Sequence, residues 1–188
     1  VALSRALIGR IRGGLAQVNV LVSMFFAGMN GSVVADTATV GALVLPAMKK
    51  AGYPAAFSAA VTGVSSTIGG IIPPSIMMIV LANATEISIA DLFAAGIVPG
   101  ILIGVVIMVI NHYFAVKYNF ERSDQPFSVR RAGKELYRSS FALLIPLVLV
   151  GSVMGGVASV VEAGAITALV ALFTGCLLYT SPSPRDPS

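Results

Sequence analysis

The chain has 188 residues, of which 56% are hydrophobic and only 11% charged, with a formal net charge of +4. Soluble domains carry roughly 25% charged residues, so the composition excludes an ordinary soluble domain and indicates an integral membrane protein. The basic residues sit in short connectors between apolar runs, which excludes a nucleic-acid surface and suits topology determinants. The single cysteine, Cys176, says nothing about redox compartment.

The chain opens at Val1 within an apparent helix rather than at a methionine, and reads as an internal fragment. Ser4 to Gly14 holds Arg5, Arg10 and Arg12 and reads as a helix end with a basic connector. Leu15–Met29 and Val33–Met48 are apolar arms of about fifteen residues joined at Asn30-Gly31-Ser32, each short of the roughly twenty needed to span a bilayer. This pattern predicts a re-entrant helical hairpin over 15–48, closed by Lys49-Lys50 and the turn Gly52-Tyr53-Pro54.

Residues 55–82 read as two half-helices around a break, Ser65-Ser66-Thr67-Ile68-Gly69-Gly70-Ile71-Ile72-Pro73-Pro74-Ser75. Lipid cannot satisfy free backbone N–H and C=O groups, so an unwound segment at membrane depth must be held by protein or line a hydrated site. Asn83–Asp91 follows as a polar connector, and Leu92–Phe114 as a full span. The stretch Lys117–Arg138 is a charged, solvated loop with a short surface helix expected around Val129–Arg138. Phe141 to about Val157 is a further span, and Glu162–Gly175 starts another. From Cys176 the composition changes abruptly to Cys-Leu-Leu-Tyr-Thr-Ser-Pro-Ser-Pro-Arg-Asp, which reads as translated sequencing-adapter DNA and places the end of natural sequence near Gly175.

Charge parity supports this layout. With a re-entrant hairpin, Arg5–Arg12, Lys49-Lys50 and Lys117–Arg138 share one side and Glu86 and Asp91 lie opposite. Positive-inside bias makes the basic side cytoplasmic. Two short full crossings satisfy the same parity, and arm length favours the hairpin.

At the break, the first half-helix directs a carbonyl end and the second an amide end into one place, suiting a cation and a carboxylate respectively. Ser65, Ser66 and Thr67 add hard hydroxyl oxygens, Gly69-Gly70 lets the backbone turn and approach closely, and Pro73-Pro74 sets the start of the second half up to Ser75. The hairpin tip repeats the logic, with Asn30-Gly31 carbonyls on one arm and Ser32 as cap of the other. The competing reading is that such hydroxyls only bond back to the preceding turn or glue neighbouring helices.

Asp36 is an intramembrane carboxylate, a functional candidate whose competing role is to offset the dipole of its own helix start. Glu162 reads as an ordinary first-turn capping residue. Gly96, Gly100 and Gly104, with Pro99, form a close-packing face. His112, the only histidine, reads as interfacial. No nucleophile–base set, nucleotide-binding loop or metal-spaced cluster is present, and no organic cofactor is expected.

The run Gly28-Met29-Asn30-Gly31-Ser32-Val33-Val34-Ala35-Asp36-Thr37-Ala38, with Leu45-Pro46-Ala47-Met48-Lys49-Lys50-Ala51-Gly52-Tyr53, Ser65-Ser66-Thr67-Ile68-Gly69, Ile72-Pro73-Pro74-Ser75 and Leu92-Phe93-Ala94-Ala95-Gly96-Ile97-Val98-Pro99-Gly100, resembles the large membrane subunit of tripartite ATP-independent periplasmic (TRAP) transporters. The resemblance covers roughly Ser4–Gly175 and implies an all-α, multi-span elevator-type transporter with a re-entrant hairpin and a discontinuous helix in each of two inverted repeats. It implies Na⁺ as coupling ion, an organic acid such as a C4-dicarboxylate or sugar acid as substrate, and two partners, a small membrane subunit and a periplasmic substrate-binding protein. The setting it implies is a bacterial inner membrane.

By position, the resemblance places a Na⁺ site at Gly31, Ser32, Ser66, Thr67 and Gly69. Asp36, Ser65, Pro73, Pro74 and Ser75 complete the ion and substrate candidates. Residues 1–114 would be the first-repeat core, 115–139 a cytoplasmic basic loop and 140–175 the start of the second repeat, with 176–188 outside native sequence. Gly70 and the run Val160-Val161-Glu162-Ala163 depart from the family pattern. Two other functions compete: a self-sufficient elevator exchanger, and a membrane-embedded enzyme using Asp36 or Glu162, which would require facing carboxylates or histidine clusters that the sequence lacks.

Overall fold

A computed structural model describes residues 13–120 and 144–179. Within them the fold is all helical: α1 (Gly14–Asn30), α2 (Val33–Lys50), α3 (Ala55–Ser66), a 3₁₀ turn (Thr67–Gly70), α4 (Ile76–Thr85), α5 (Ile89–Lys117), α6 (Leu144–Met154) and α7 (Val160–Tyr179). The basic segment at Arg5–Arg12, the surface helix expected at Val129–Arg138 and the chain beyond Tyr179 lie outside the described residues.

The arms of the hairpin contain 17 and 18 residues, each about 26 Å long at 1.5 Å per residue and still below a hydrocarbon thickness of ~30 Å. Gly31 reverses the chain between them in the left-handed conformation, φ 56°, with its N–H donating to the Ala27 carbonyl. A side chain is strained there, and a methyl group would also run into the Pro74 carbonyl oxygen.

α1 is the central element. It packs against α2, α3, the 3₁₀ turn and α5, so Ala16, Val18, Val20, Val22 and Ala27 are all buried. α1 carries no charged residue, and a helix with so little polar surface is covered on most of its faces. Val40, Val44 and Met48 of α2, Val61 of α3, Ile68 of the turn and Ile107 of α5 close the core around it.

α5 has 29 residues, about 44 Å, and is the one described helix long and apolar enough to cross a membrane. It starts at Ile89 rather than Leu92 because Ser88 caps it, its Oγ accepting from the Asp91 N–H at 3.4 Å. The polar connector therefore shrinks to residues 86–88, α4 running on to Thr85. Gly96, Gly100 and Gly104 seat the side chains of Met78, Ile72 and Met24, and an added Cβ at Gly96 would lie 2.5 Å from the Ile71 carbonyl oxygen. The glycine face thus holds the unwound segment directly. The opposite surface, including Leu102, Val109 and Val98, is exposed, as expected where lipid or another membrane chain covers it.

α6 ends at Met154, earlier than the expected Val157, where the chain turns through left-handed Gly156. Ser159 and Glu162 then form a reciprocal capping box for α7: Glu162 Oε2 accepts from the Ser159 N–H at 2.8 Å, and Ser159 Oγ accepts from the Glu162 N–H at 3.4 Å. Glu162 is a cap. Val153 and Ala163 bury against Phe93, which ties this later segment to the start of α5.

Candidate functional site

The hairpin tip and the helix break meet. The Ile76 N–H at the start of α4 donates to the Gly31 carbonyl at 3.3 Å, and Gly69 lies with its α-carbon facing the Ser32 backbone. Gly31, Ser32, Gly69 and Ser75 therefore come together at one place although they are spread over four elements. Gly69 and Gly70 sit in the 3₁₀ turn with ordinary negative φ. Their smallness serves approach rather than unusual turning, since a Cβ on Gly70 would be 3.3 Å from Val33 Cγ2.

The start of α4 is set by Ser75 and not by proline. Ser75 Oγ accepts from the Met78 N–H at 3.4 Å and donates to the Gly70 carbonyl at 2.8 Å, pinning both sides of the break. Pro73-Pro74, joined by a cis peptide, precedes that cap. With Ile76 and Met78 satisfied in this way, Met77 keeps a first-turn N–H for which the described residues supply no acceptor. At the start of α2 the same holds for Val33 and Val34, while Ala35 donates to Ser32 Oγ and Asp36 to the Ser32 carbonyl. Open amides from two helix starts favour an anion beside the tip.

The hydroxyls of the break do bond back. Ser65 and Ser66 Oγ donate to the Thr62 carbonyl at 3.1 and 2.8 Å, and Thr67 Oγ1 donates to Val64 at 2.7 Å. A hydroxyl that donates its proton still has lone pairs to offer, so back-bonding and ion ligation are compatible. Ser65 and Ser66 are fully buried, whereas Thr67 is exposed.

Asp36 stands apart. Its side chain is completely buried, and among the described residues neither carboxylate oxygen has a hydrogen-bond partner. Its own helix start is capped by Ser32, so the carboxylate does not serve as that cap. Ser66 and Ser23 face it, but both hydroxyls are engaged elsewhere, Ser23 Oγ with Ser65 Oγ at 3.2 Å. A buried charge without a partner is costly. Physically, such a carboxylate favours a cation or a proton beside it.

Beside it runs a buried polar seam that the sequence alone does not reveal. Asn19 Nδ2 donates to Thr62 Oγ1 at 2.7 Å, Thr62 Oγ1 donates to the Ser58 carbonyl at 2.9 Å, and Gln17 Nε2 donates to the Met108 carbonyl at 2.8 Å. Asn19 and Ser23 are four apart on α1 and oppose Thr62 and Ser65 on α3. That i,i+4 spacing is the one sequence signal that could have marked them. Among the described residues no cluster of His, Cys, Asp or Glu could hold a metal, so an ion here would rest on hydroxyl, carbonyl and single-carboxylate oxygens.

A family model for the DctM component of tripartite ATP-independent periplasmic transporters matches residues 1–185. The chain belongs to this family. It is 36% identical to the C4-dicarboxylate TRAP transporter large permease of Pseudomonas aeruginosa over 176 residues, 94% of this chain and 41% of that protein. It is 33% identical to the sialic acid TRAP large permease of Vibrio cholerae, covering 95% of this chain and 42% of the relative. Against the 2,3-diketo-L-gulonate TRAP large permease of Escherichia coli the identity is 36%, over 95% and 42%. The chain thus spans about two fifths of the length of these relatives. The family is one of membrane-embedded permease subunits rather than enzymes.

Proposed function

We propose that this chain supplies the first-repeat half of the ion and substrate site in the permease subunit of a Na⁺-coupled, binding-protein-dependent importer of organic acids. α1 and α2 dip into the bacterial inner membrane as a re-entrant hairpin, with the lysine-bearing end cytoplasmic. Na⁺ binds between the Gly31 and Ser32 backbone of the tip, which faces Gly69, and the Ser66 and Thr67 oxygens of the break, with Asp36 as a nearby countercharge. The substrate's anionic group is drawn to the open amides of Val33, Val34 and Met77. A small membrane subunit and a periplasmic substrate-binding protein complete the system.

The observation that carries this reading is the Ile76 N–H to Gly31 carbonyl contact, which makes tip and break one locus with carbonyl ends and amide ends side by side. The relatives are named for C4-dicarboxylate, sialic acid, 2,3-diketo-L-gulonate and isethionate. All are organic anions, which suits a site of open N–H groups and supports the class rather than one substrate.

The test is uptake by the complete permease, reconstituted with its partner subunits, as a function of Na⁺. Ser66→Ala is expected to raise the Na⁺ concentration for half-maximal uptake. Thr67→Val, at an exposed hydroxyl, is expected to do so less. Unchanged Na⁺ activation in both variants would remove these side chains from the ion site.

A further inference from the structure

The end of the molecule away from the hairpin tip carries a second built feature. α2 and α5 finish there in the same way. At α2, Gly52 is left-handed (φ 78°), its N–H donates to the Lys49 carbonyl at 3.2 Å, and the Tyr53 N–H reaches back to Met48 at 3.1 Å. At α5, Asn119 is left-handed (φ 50°), donates to Val116 at 3.3 Å, and the Phe120 N–H reaches back to Ala115 at 3.0 Å. Both are Schellman turns. Their final residues, Tyr53 and Phe120, pack ring on ring with centroids 4.8 Å apart, and Phe57 lies 5.1 Å from Phe120.

Between the two turns opens a pocket of about 440 Å³, lined by Lys50, Gly52, Pro54, Tyr118 and Asn119 among others. Lys49 and Lys117 stand exposed on the same helix ends, and Lys117 Nζ lies 6.0 and 5.9 Å from the Tyr113 and Tyr118 ring centroids. Among the described residues none of these three lysines has an acidic partner: Glu86 and Asp91 flank the opposite end of α5, Glu162 caps α7, and Asp36 is buried. Lysines at helix C-termini offset the dipole, yet the Met48, Lys49, Ala115 and Val116 carbonyls are already taken by the turns. Among the described residues the positive charge therefore meets neither an acidic side chain nor a free helix-end carbonyl of these turns.

The pocket lies beside an apolar surface that bears on what it could hold. Tyr113 belongs to an exposed stripe of α5 that continues through Val109, Val105 and Leu102, one residue per turn and facing outward. A belt of Tyr with flanking Lys marks the headgroup level of a membrane. We propose that this pocket binds the phosphate of an anionic phospholipid, held by Lys50 and the Asn119 side-chain amide, with Lys117 adding charge from its place over the Tyr118 ring that lines the pocket and the acyl chains along the Leu102–Tyr113 stripe. A zwitterionic lipid offers no net charge to match, and a free phosphate makes no use of the apolar stripe. Docking a lipid there would fix the ends of α2 and α5 to the bilayer while the hairpin tip and the break lie beyond its reach.

Native mass spectrometry of the complete permease in detergent tests this. Phosphatidylglycerol should be retained in preference to phosphatidylcholine, and each lysine removed should weaken its binding about fivefold, the effect of one basic residue near an anionic membrane surface. Lys50→Ala with Lys117→Ala should therefore lose most phosphatidylglycerol binding, while Lys50→Arg with Lys117→Arg retains it and phosphatidylcholine is unaffected throughout. Inorganic phosphate at equal concentration should not displace the lipid. Phosphatidylglycerol binding unchanged in the double alanine variant would overturn the proposal. Displacement by inorganic phosphate would overturn it equally, reassigning the pocket to a free anion.

Discussion

Two buried polar regions lie next to each other in this molecule and are built on opposite terms. The seam between α1 and α3 joins Asn19 to Thr62 and Ser23 to Ser65 directly. Asp36, one helix away and just as buried, has no partner on either oxygen among the described residues. A polar seam bonded from helix to helix fixes register, because a slip breaks those bonds where neither lipid nor water can replace them, even though Gln17 Oε1 and Asn19 Oδ1 have no partner among the described residues. An unsatisfied carboxylate cannot serve that purpose. A buried carboxylate in that state is costly unless it is protonated or paired. Burial and polarity alone do not distinguish the two; the difference is that each seam side chain makes at least one bond to another helix, whereas the Asp36 carboxylate makes none among the described residues.

The largest expected effect that would sharpen this contrast is at Asp36. Asp36→Asn should abolish Na⁺-driven uptake by the complete permease while raising its thermal stability in Na⁺-free buffer, since an uncompensated buried charge is removed. Loss of stability together with activity would instead place Asp36 in the structural class of the seam.

Gly31→Val should come next, because it attacks the joint between tip and break without touching either polar region. The left-handed backbone costs a residue with a Cβ ~1–2 kcal/mol, and the side chain meets the Pro74 carbonyl and the Ser75 backbone. Uptake should fall sharply while the packing of α1 against α3 persists, which cysteine cross-linking between positions 19 and 62 can follow. Loss of that cross-link would show that the tip and seam fold as one unit and are not separable.

The smallest effect is expected from the seam itself. In a double-mutant cycle with Asn19→Leu and Thr62→Val, the coupling should be about 0.6 kcal/mol and at most ~1.7, the range for hydrogen bonds between membrane helices. Na⁺ activation should survive in the double variant. A shift in Na⁺ activation would move the seam into the site.

Much of this arrangement is legible in the sequence. Asn30-Gly31-Ser32 marks the hairpin reversal because a left-handed position followed by a hydroxyl cap has few other uses. Gly69-Gly70 and Pro73-Pro74 mark the break. Glu162 reads directly as a first-turn capping residue, and the structure adds Ser159 as its partner in a capping box. What is not legible depends on register. Gln17, Asn19 and Ser23 look like isolated polar residues in an apolar run, and only packing sets the latter two opposite Thr62 and Ser65. The role of proline at the break is likewise shared out differently, because Ser75 and not Pro74 caps α4. The glycines of α5 signal close packing, but that they seat Ile72 and the Ile71 carbonyl of the break emerges only in three dimensions.

The central claim is that tip and break form one cation locus centred on groups outside the seam. Thermal unfolding of the complete permease across a Na⁺ titration, against K⁺ at matched ionic strength, tests it most directly, because a ligand that binds the folded state raises its melting temperature in proportion to the logarithm of its concentration once bound. The parent and the Asn19→Leu, Thr62→Val variant should both be stabilised by Na⁺ and not by K⁺, and Asp36→Asn and Ser66→Ala should lose much of that response. Equal Na⁺ stabilisation in all four proteins would contradict the account.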